Sequence, residues 1–330
     1  MTNGQNKADE TGLICAYELD GQGGGRSMAW QDIDTSSSPG RTRWIHLDFR
    51  APHACEWIRK DSGIDSFVAD ALLDDDSRPR VVEHGDGLLI ILRGVNTNPG
   101  AEPEDMVSIR IWLEEGRIIS TRRRRLLSIQ AIRDDIAAGV GPRSSADFVV
   151  NLVNKLGDRI DPVIESLDEA IEDAEAEFND GATGSYRGEF SSLRRQAVRI
   201  RRFLAPQREG LSRLAKQKIG LLPEDKIFEL REEADRVTRY LEDLDLIRER
   251  AMVAQEELLA KMAQEQNRRM YILAIVAALF LPLSFLTGLM GMNVAGLPGT
   301  EDPLSFAIVS LIMGAAGAGI LLAFRLQKWL

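Results

Sequence analysis

Few side chains in this chain could do metal or acid–base chemistry. Three histidines (His46, His53, His84) and two cysteines (Cys15, Cys55) all lie ahead of Gly87. Zinc prefers thiolate sulfur and imidazole nitrogen in closed four-coordinate sites. His46, His53, His84 and Cys55 are therefore the candidate metal ligands, although His-x6-His is not a ligand spacing and ordinary core or surface roles are the stronger expectation. A second kind of chemistry lies near the C-terminus. Gly291-Met292-Asn293 is followed by Glu301 and Asp302, a set of oxygen donors suited to a dication held through its own water shell. No nucleophile-plus-base arrangement stands out, and Gly21–Gly25 lacks the strand–turn–helix setting of a phosphate loop, so the chain does not read as an enzyme.

The residues around those oxygen donors say where they sit. Met270–Met290 and Leu304–Phe324 carry no Asp, Glu, Lys, Arg, His or Cys. Each fits the roughly 20 apolar residues that cross a ~30 Å hydrocarbon core. Arg268 and Arg269 precede the first run, and Arg325 and Lys328 follow the second. The connecting loop has no Lys or Arg, so both termini are expected in the cytoplasm and the loop outside, with the lipid bilayer as partner and the bacterial-type inner membrane as location. Met1–Gly12 has no apolar core of an export signal, which makes reduced cysteines the expectation. Two spans cannot enclose an aqueous path, so a pore needs several copies. Gly314/Ala318 and Ala315/Gly319 are small-residue pairs that allow close helix packing.

The rest of the 330 residues, with a formal net charge of -10, reads as soluble and charge-rich. Strands are expected at Leu13–Leu19, Arg43–Phe49, Gly87–Val95, Met106–Leu113 and Arg117–Thr121, and helices at Ser66–Leu73 and Leu126–Ala138. From Ser145 the apolar residues recur at steps of three and four, first to a break at Asn179–Ser185 and again from Tyr186 to Gln217. A third helix starts after Pro223 with heptad-like Leu230, Ala234, Val237, Leu241, Leu244, Ala251, Leu258 and Met262, and runs into the first span, roughly 100 Å at 1.5 Å per residue. The organisation is an α/β domain (1–140), a helical hairpin (141–222), a stalk (223–269), a first span (270–290), an external loop (291–303), a second span (304–324) and a tail (325–330).

Charge is segregated along the hairpin. Every charged residue from Glu165 to Asp180 is acidic, and the next helix carries Arg194, Arg195, Arg199, Arg201, Arg202 and Arg208. The two runs can offset each other in an antiparallel hairpin, or the acids can serve as a cation-attracting surface. The run Arg122–Arg125 has no interleaved aromatics, so contact with anionic lipid or the acidic helix is expected rather than nucleic acid.

Gly-Met-Asn at the outer end of the first of two C-terminal spans, behind a long stalk, resembles the CorA superfamily of divalent-cation channels over nearly the whole chain. Met290 before the triplet and Gly296-Leu297-Pro298-Gly299 after it are similar to the ZntB zinc-transporter branch, as is the basic stretch LRRQAVRIRRFLAPQRE. Arg325 and Lys328 do not make the lysine cluster of many CorA members. The resemblance implies an α+β cytoplasmic domain with a long helical stalk and two C-terminal transmembrane helices, assembled as a funnel-shaped homopentamer. It also implies Gly291, Met292 and Asn293 as the selectivity motif and a pore lined by Met270, Leu273, Ala277, Leu281, Ser284 and Gly288, with Glu301 and Asp302 in the external acidic loop. The implied substrate is a divalent cation, zinc first, with Mg²⁺, Co²⁺, Ni²⁺ and Cd²⁺ as further cargo and no cofactor. The lining positions step by three and four, so they share one helix face whatever the family. Two other readings stay open: a magnesium, cobalt or nickel channel, and a membrane-anchored coiled-coil scaffold without transport. With no Asp, Glu, Lys, Arg, His or Cys in the spans, any proton coupling must act outside the bilayer core, with Asp235, Asp243 and Glu257 as candidates.

Overall fold

A computed structural model describes residues 10–33, 40–179, 186–217, 220–292 and 303–326. The chain divides into two compact units, Met1–Gln255 and Glu256–Leu330.

The first unit is built on a seven-stranded sheet ordered β2-β1-β3-β7-β6-β5-β4. Its strands are β1 (Leu13–Leu19), β2 (Gly25–Ser27), β3 (Arg43–Asp48), β4 (Arg80–His84), β5 (Gly87–Gly94), β6 (Val107–Glu114) and β7 (Arg117–Arg122). β3 and β7 run parallel, with Asp48 opposite Arg122, and the other pairs are antiparallel. β6 and β7 join through Glu115-Gly116, where Gly116 takes φ +69°, a conformation that side-chain-bearing residues rarely adopt. β5 is buried along its whole length: its first six residues, Gly-Leu-Leu-Ile-Ile-Leu, are apolar, and the buried Arg93 that follows donates to the Met106 and Ser77 carbonyls.

Both faces of the sheet are covered. Helices α1 (Pro52–Lys60) and α2 (Ser66–Leu73) pack Trp57, Ile58, Val68 and Leu72 against Ile45, Leu47, Leu89 and Ile119. On the opposite face lie α3 (Leu127–Ala137) and the hairpin of α4 (Ser145–Asn179) and α5 (Tyr186–Leu214). There the ring of Trp44 meets that of Phe148, 4.8 Å between centroids. Gly94 is glycine for a packing reason, because a Cβ there would come within 2.6 Å of the Leu156 side chain.

The expected strands and helices are present to within a residue or two, except that α5 ends at Leu214, three residues early. β2, β4 and α1 were not anticipated. β2 is short and edge-exposed, β4 is a half-buried edge strand, and α1 is a polar helix opened by Pro52. β2 and β4 are too short for a periodic signal, whereas α1 is amphipathic, burying Ala54, Trp57 and Ile58 on one face, but is only nine residues long. Gly21–Gly24 lies in the β1–β2 turn and Gly25 opens β2; Asp20 Oδ1 accepts hydrogen bonds from the backbone N–H groups of Gln22 (2.7 Å) and Gly24 (3.0 Å).

Helix α6 runs without a break from Glu224 to Met290. Leu230, Ala234, Val237, Leu241, Leu244 and Ala251 are buried as the heptad reading requires, whereas Met262 is exposed. Helix α7 spans Ser305–Leu326. The α6–α7 pair is the described part of the second unit.

Candidate functional site

The C-terminal half of α6 and all of α7 are long and apolar enough to cross a membrane. Their side chains are bare. Phe285 is 69% exposed, Phe306 84% and Leu311 75%. A contiguous apolar surface of this kind needs lipid or further protein to cover it.

The two helices touch through one face of each. On α6 the half-buried residues are Ile275, Leu279, Leu283 and Leu286, with Ala278 beside them. On α7 the buried residue is Gly317, whose position for a Cβ is 3.8 Å from Leu283 Cδ1 and 3.9 Å from Leu279 Cδ1. The small residue at this seam is thus Gly317. Among the described residues, nothing outside the helix's own backbone lies within 4 Å of a Cβ placed at Gly314 or Gly319, and Ala315 and Ala318 are exposed.

Met270, Leu273, Ala277, Leu281, Ser284 and Gly288 lie elsewhere on α6. At about 100° per residue they fall within an arc of about 80°, on the side about opposite Ile275, Leu279, Leu283 and Leu286. All six are exposed in the single chain. The face turned away from α7 is therefore apolar at Met270, Leu273 and Leu281, and small or hydroxylated at Ala277, Ser284 and Gly288. Pro282 lacks the N–H that would bond the carbonyl of Ala278. Thr287 Oγ1 donates to the Ser284 carbonyl (2.9 Å), and Gly291 N–H closes the last turn onto the Thr287 carbonyl (2.9 Å). Met292 is exposed just beyond. Asn293, Glu301 and Asp302 lie outside the described residues.

Upstream, α6 is tied to the hairpin by ion pairs. Arg236 bonds Asp158 (2.9 Å) and Asp161, and Arg250 bonds Asp168 (3.1 Å) and Glu175 (2.7 Å). From α5, Arg201 meets Asp245 of α6 (2.8 Å). The acidic run of α4 therefore finds its described partners on α6 and not on the arginine helix that follows it. The reason is that the α4–α5 seam is apolar, built from Leu167, Ile171, Phe178, Phe190 and Leu193, which leaves charges on the flanks. Glu165, Glu169, Glu172 and Asp173 remain exposed on α4, as do Arg194, Arg195, Arg199 and Arg202 on α5. Of the coupling candidates, Asp243 titrates above its ordinary value, because of burial and then the nearby Asp168 and Glu242 carboxylates. Asp235 and Glu257 are exposed.

The imidazoles and thiols stay apart. His46 is fully buried, with Nδ1 2.8 Å from Ser120 Oγ. Burial, reinforced by Arg122 and Arg133, holds its basicity well below the ordinary value. His53 rests against Trp30 and His84 Nε2 lies 3.2 Å from Asp65. Both cysteines are free, Cys15 buried with its thiol pushed up to about 12 by burial, and Cys55 donating to the Phe49 carbonyl (2.8 Å). Among the described residues no group of three or more His, Cys, Asp or Glu is arranged to hold a metal ion. Arg123 and Arg124 pair with Asp75 and Asp105, neither of which is on the acidic helix that the sequence offered as their contact.

Comparison with known proteins agrees with this architecture. The profile of the family described as CorA-like Mg2+ transporter protein matches residues 40–328. The divalent cation transporter CmaX of Pseudomonas aeruginosa is 40% identical over 326 residues, covering 98% of each chain. The zinc transport protein ZntB of Pectobacterium carotovorum is 37% identical over 320 residues, covering 97% of each. A structure of full-length CmaX superposes with a TM-score of 0.85 at 39% identity, over 97% of this chain and 99% of that one. The CorA magnesium transporter of Methanocaldococcus jannaschii shares the fold, with a TM-score of 0.81 at 19% identity over 96% and 98%. The ordered succession of α/β domain, long helix and two apolar C-terminal helices is thus the CorA fold, and this chain belongs to the CorA-like family, a family of transporters rather than enzymes.

Proposed function

We propose that this chain is one subunit of a homo-oligomeric inner-membrane transporter of divalent metal cations, with zinc its principal cargo. The observation that carries the reading is the bare face of α6, Met270 to Gly288, turned away from α7 and leading into Gly291-Met292-Asn293. A single chain leaves that face uncovered. Several copies arranged about an axis would cover it and line a path, and the family resemblance makes the number five. Both termini lie in the cytoplasm, as the Arg and Lys flanks require.

Between Met270 and Met290 the path offers no thiolate, imidazole or carboxylate to strip water from the ion. The cation is selected while hydrated, by a ring of Asn293 amide oxygens, with Glu301 and Asp302 concentrating it at the outer mouth. The rings of Met270, Leu273 and Leu281 form apolar constrictions that close by dewetting. Zinc is favoured by the similarity to ZntB proteins and by Gly296-Leu297-Pro298-Gly299. The second reading, a broader channel for Mg²⁺, Co²⁺ or Ni²⁺, draws on the ligand-poor path and on the general name of the CmaX relative.

The deciding experiment is ion flux into proteoliposomes, Zn²⁺ against Mg²⁺, with and without an imposed pH gradient. Zinc flux exceeding magnesium flux, and reduced at least tenfold by Asn293→Ala, is the expected result. Magnesium flux above zinc would establish the channel reading, and the absence of flux for any metal would leave a membrane-anchored scaffold.

A further inference from the structure

Among the described strands, β3 and β7 are the parallel neighbours, and the chain leaves their carboxyl ends in opposite directions. After β3 it enters α1, on the face of Ile45 and Leu47. After β7 it enters α3, on the face of Trp44, where Ser128 Oγ donates to the Lys155 carbonyl of α4 (3.0 Å). Such a switch point opens a crevice at the strand ends, the place where open α/β sheets bind ligands. Here it is a cleft of about 900 Å³, comparable with the roughly 300–1,000 Å³ of small-molecule sites.

Its lining is rich in guanidinium groups. Arg50 follows β3, and Arg122, Arg123, Arg124 and Arg125 end β7 and follow it. Against these five arginines stand three carboxylates, Asp48, Glu102 and Asp105. Hydrogen bonds and ion pairs hold several of the arginines in place: Arg50 on Asp48 (2.6 Å), and Arg124 on Asp105 and on the Met106 carbonyl (3.1 Å). Arg123 is held from the side by Asp75. Asn98 Nδ2 donates to the Arg125 carbonyl (3.0 Å), fastening the β5–β6 loop across the mouth, and Asn96 of that loop faces the same space. A positive excess inside a concavity focuses the field onto an entering anion, and planar guanidinium groups match phosphate oxygens two at a time.

We propose that this switch-point crevice binds a small phosphate-bearing anion of nucleotide size. The site is separate from the cation path and is built from residues 48–125. A long nucleic acid would need an open stripe, whereas this lining is concave and walled by Asn96, Glu102 and Asp105.

The test is titration of the purified full-length protein in detergent with mant-ATP, in excess EDTA so that no metal bridges ligand to carboxylate. Saturable binding of one mant-ATP per chain is expected, displaced by pyrophosphate and ADP but not by adenosine. Arg124→Gln with Arg125→Gln should weaken it at least tenfold without moving the unfolding midpoint. Glu102→Gln, which removes a negative charge from the lining, should tighten it several-fold, an effect no unfolded variant could produce. Four results would overturn the proposal: no saturable binding at millimolar mant-ATP, affinity unchanged in the arginine double variant, displacement by adenosine as effective as by pyrophosphate, or retention only on long RNA or anionic vesicles. Binding is read without ion flux, so its failure is distinct from failure of the transport reading.

Discussion

His46 is a buried base in a place that refuses its proton, and this fixes the sign and size of a pH effect. Its side chain is 0% exposed, Nδ1 meets Ser120 Oγ, and Ser120 Oγ also accepts the indole N–H of Trp44 (2.8 Å). Among the described residues Nε2 has no hydrogen-bond partner, and the charges of Arg122 and Arg133 oppose a third cation. The ordinary value is 6.5 and the folded value lies well below it. The folded chain therefore binds fewer protons than the unfolded chain. Its advantage is fully present above pH 6.5 and is lost as pH falls through 6.5 toward the folded value. If the folded imidazole stays neutral down to pH 5, one proton taken up by the unfolded chain alone costs about 2 kcal/mol, a roughly 30-fold shift in the folding equilibrium. The perturbation is His46→Leu, which removes the titrating group and keeps an apolar side chain in the core. The assay is urea unfolding of the detergent-solubilised chain at pH 8, 6.5 and 5, read by tryptophan fluorescence, since Trp30, Trp44, Trp57 and Trp112 all sit in the sheet domain. Wild type should lose about 2 kcal/mol relative to the variant between pH 8 and 5. A difference between the two that stays constant within about 0.5 kcal/mol would refute the reasoning, and so would a loss of zinc affinity on His46→Leu, because a ligand cannot also be a sealed core residue.

Other substitutions read other parts of the structure. Glu233 is held above its ordinary carboxylate value by burial; Oε1 lies 3.5 Å from Arg236, and among the described residues Oε2 has no hydrogen-bond partner. Its folded-state penalty is absent below pH 4.5 and grows as pH rises from 4.5 toward the raised value, so Glu233→Gln should stabilise the chain at pH 7 and lose that benefit at pH 4, measured by thermal unfolding. Gly317→Leu drives a side chain into Leu279 and Leu283 and should cost about 1–3 kcal/mol, whereas Gly319→Leu should leave the α6–α7 pair intact. Thermal stability in detergent separates the two, and equal effects would show that the seam is misplaced. Maleimide should label Cys55 in the native protein and leave Cys15 untouched, because burial keeps the Cys15 thiol protonated. Cys55→Ser should abolish labelling until the chain is unfolded, as mass spectrometry would detect.

Local pattern decided much of this protein. The uncharged runs at Met270–Met290 and Leu304–Phe324, the three-and-four periodicity of α4 to α6, and the apolar stretch of β5 lie within one element each. Periodicity and composition are properties of neighbours in the chain, so a reader of residues alone can place those elements. The shared helix face of Met270 to Gly288 follows from the same arithmetic. Tertiary structure decided which face of α6 meets α7, and it chose Gly317 over the small-residue pairs at 314/318 and 315/319, because the choice depends on how two helices sit against each other. It sent the α4 acids to Arg236 and Arg250 by filling the α4–α5 seam with apolar residues. It sealed His46 under Trp44 and Ser120, and it set β3 beside β7 so that Asp48 and Arg122, distant in sequence, end on one crevice. Pairing across a sheet and burial against a distant helix are contacts between parts of the chain that carry no mark of each other in sequence, and they exist only once the whole unit has packed.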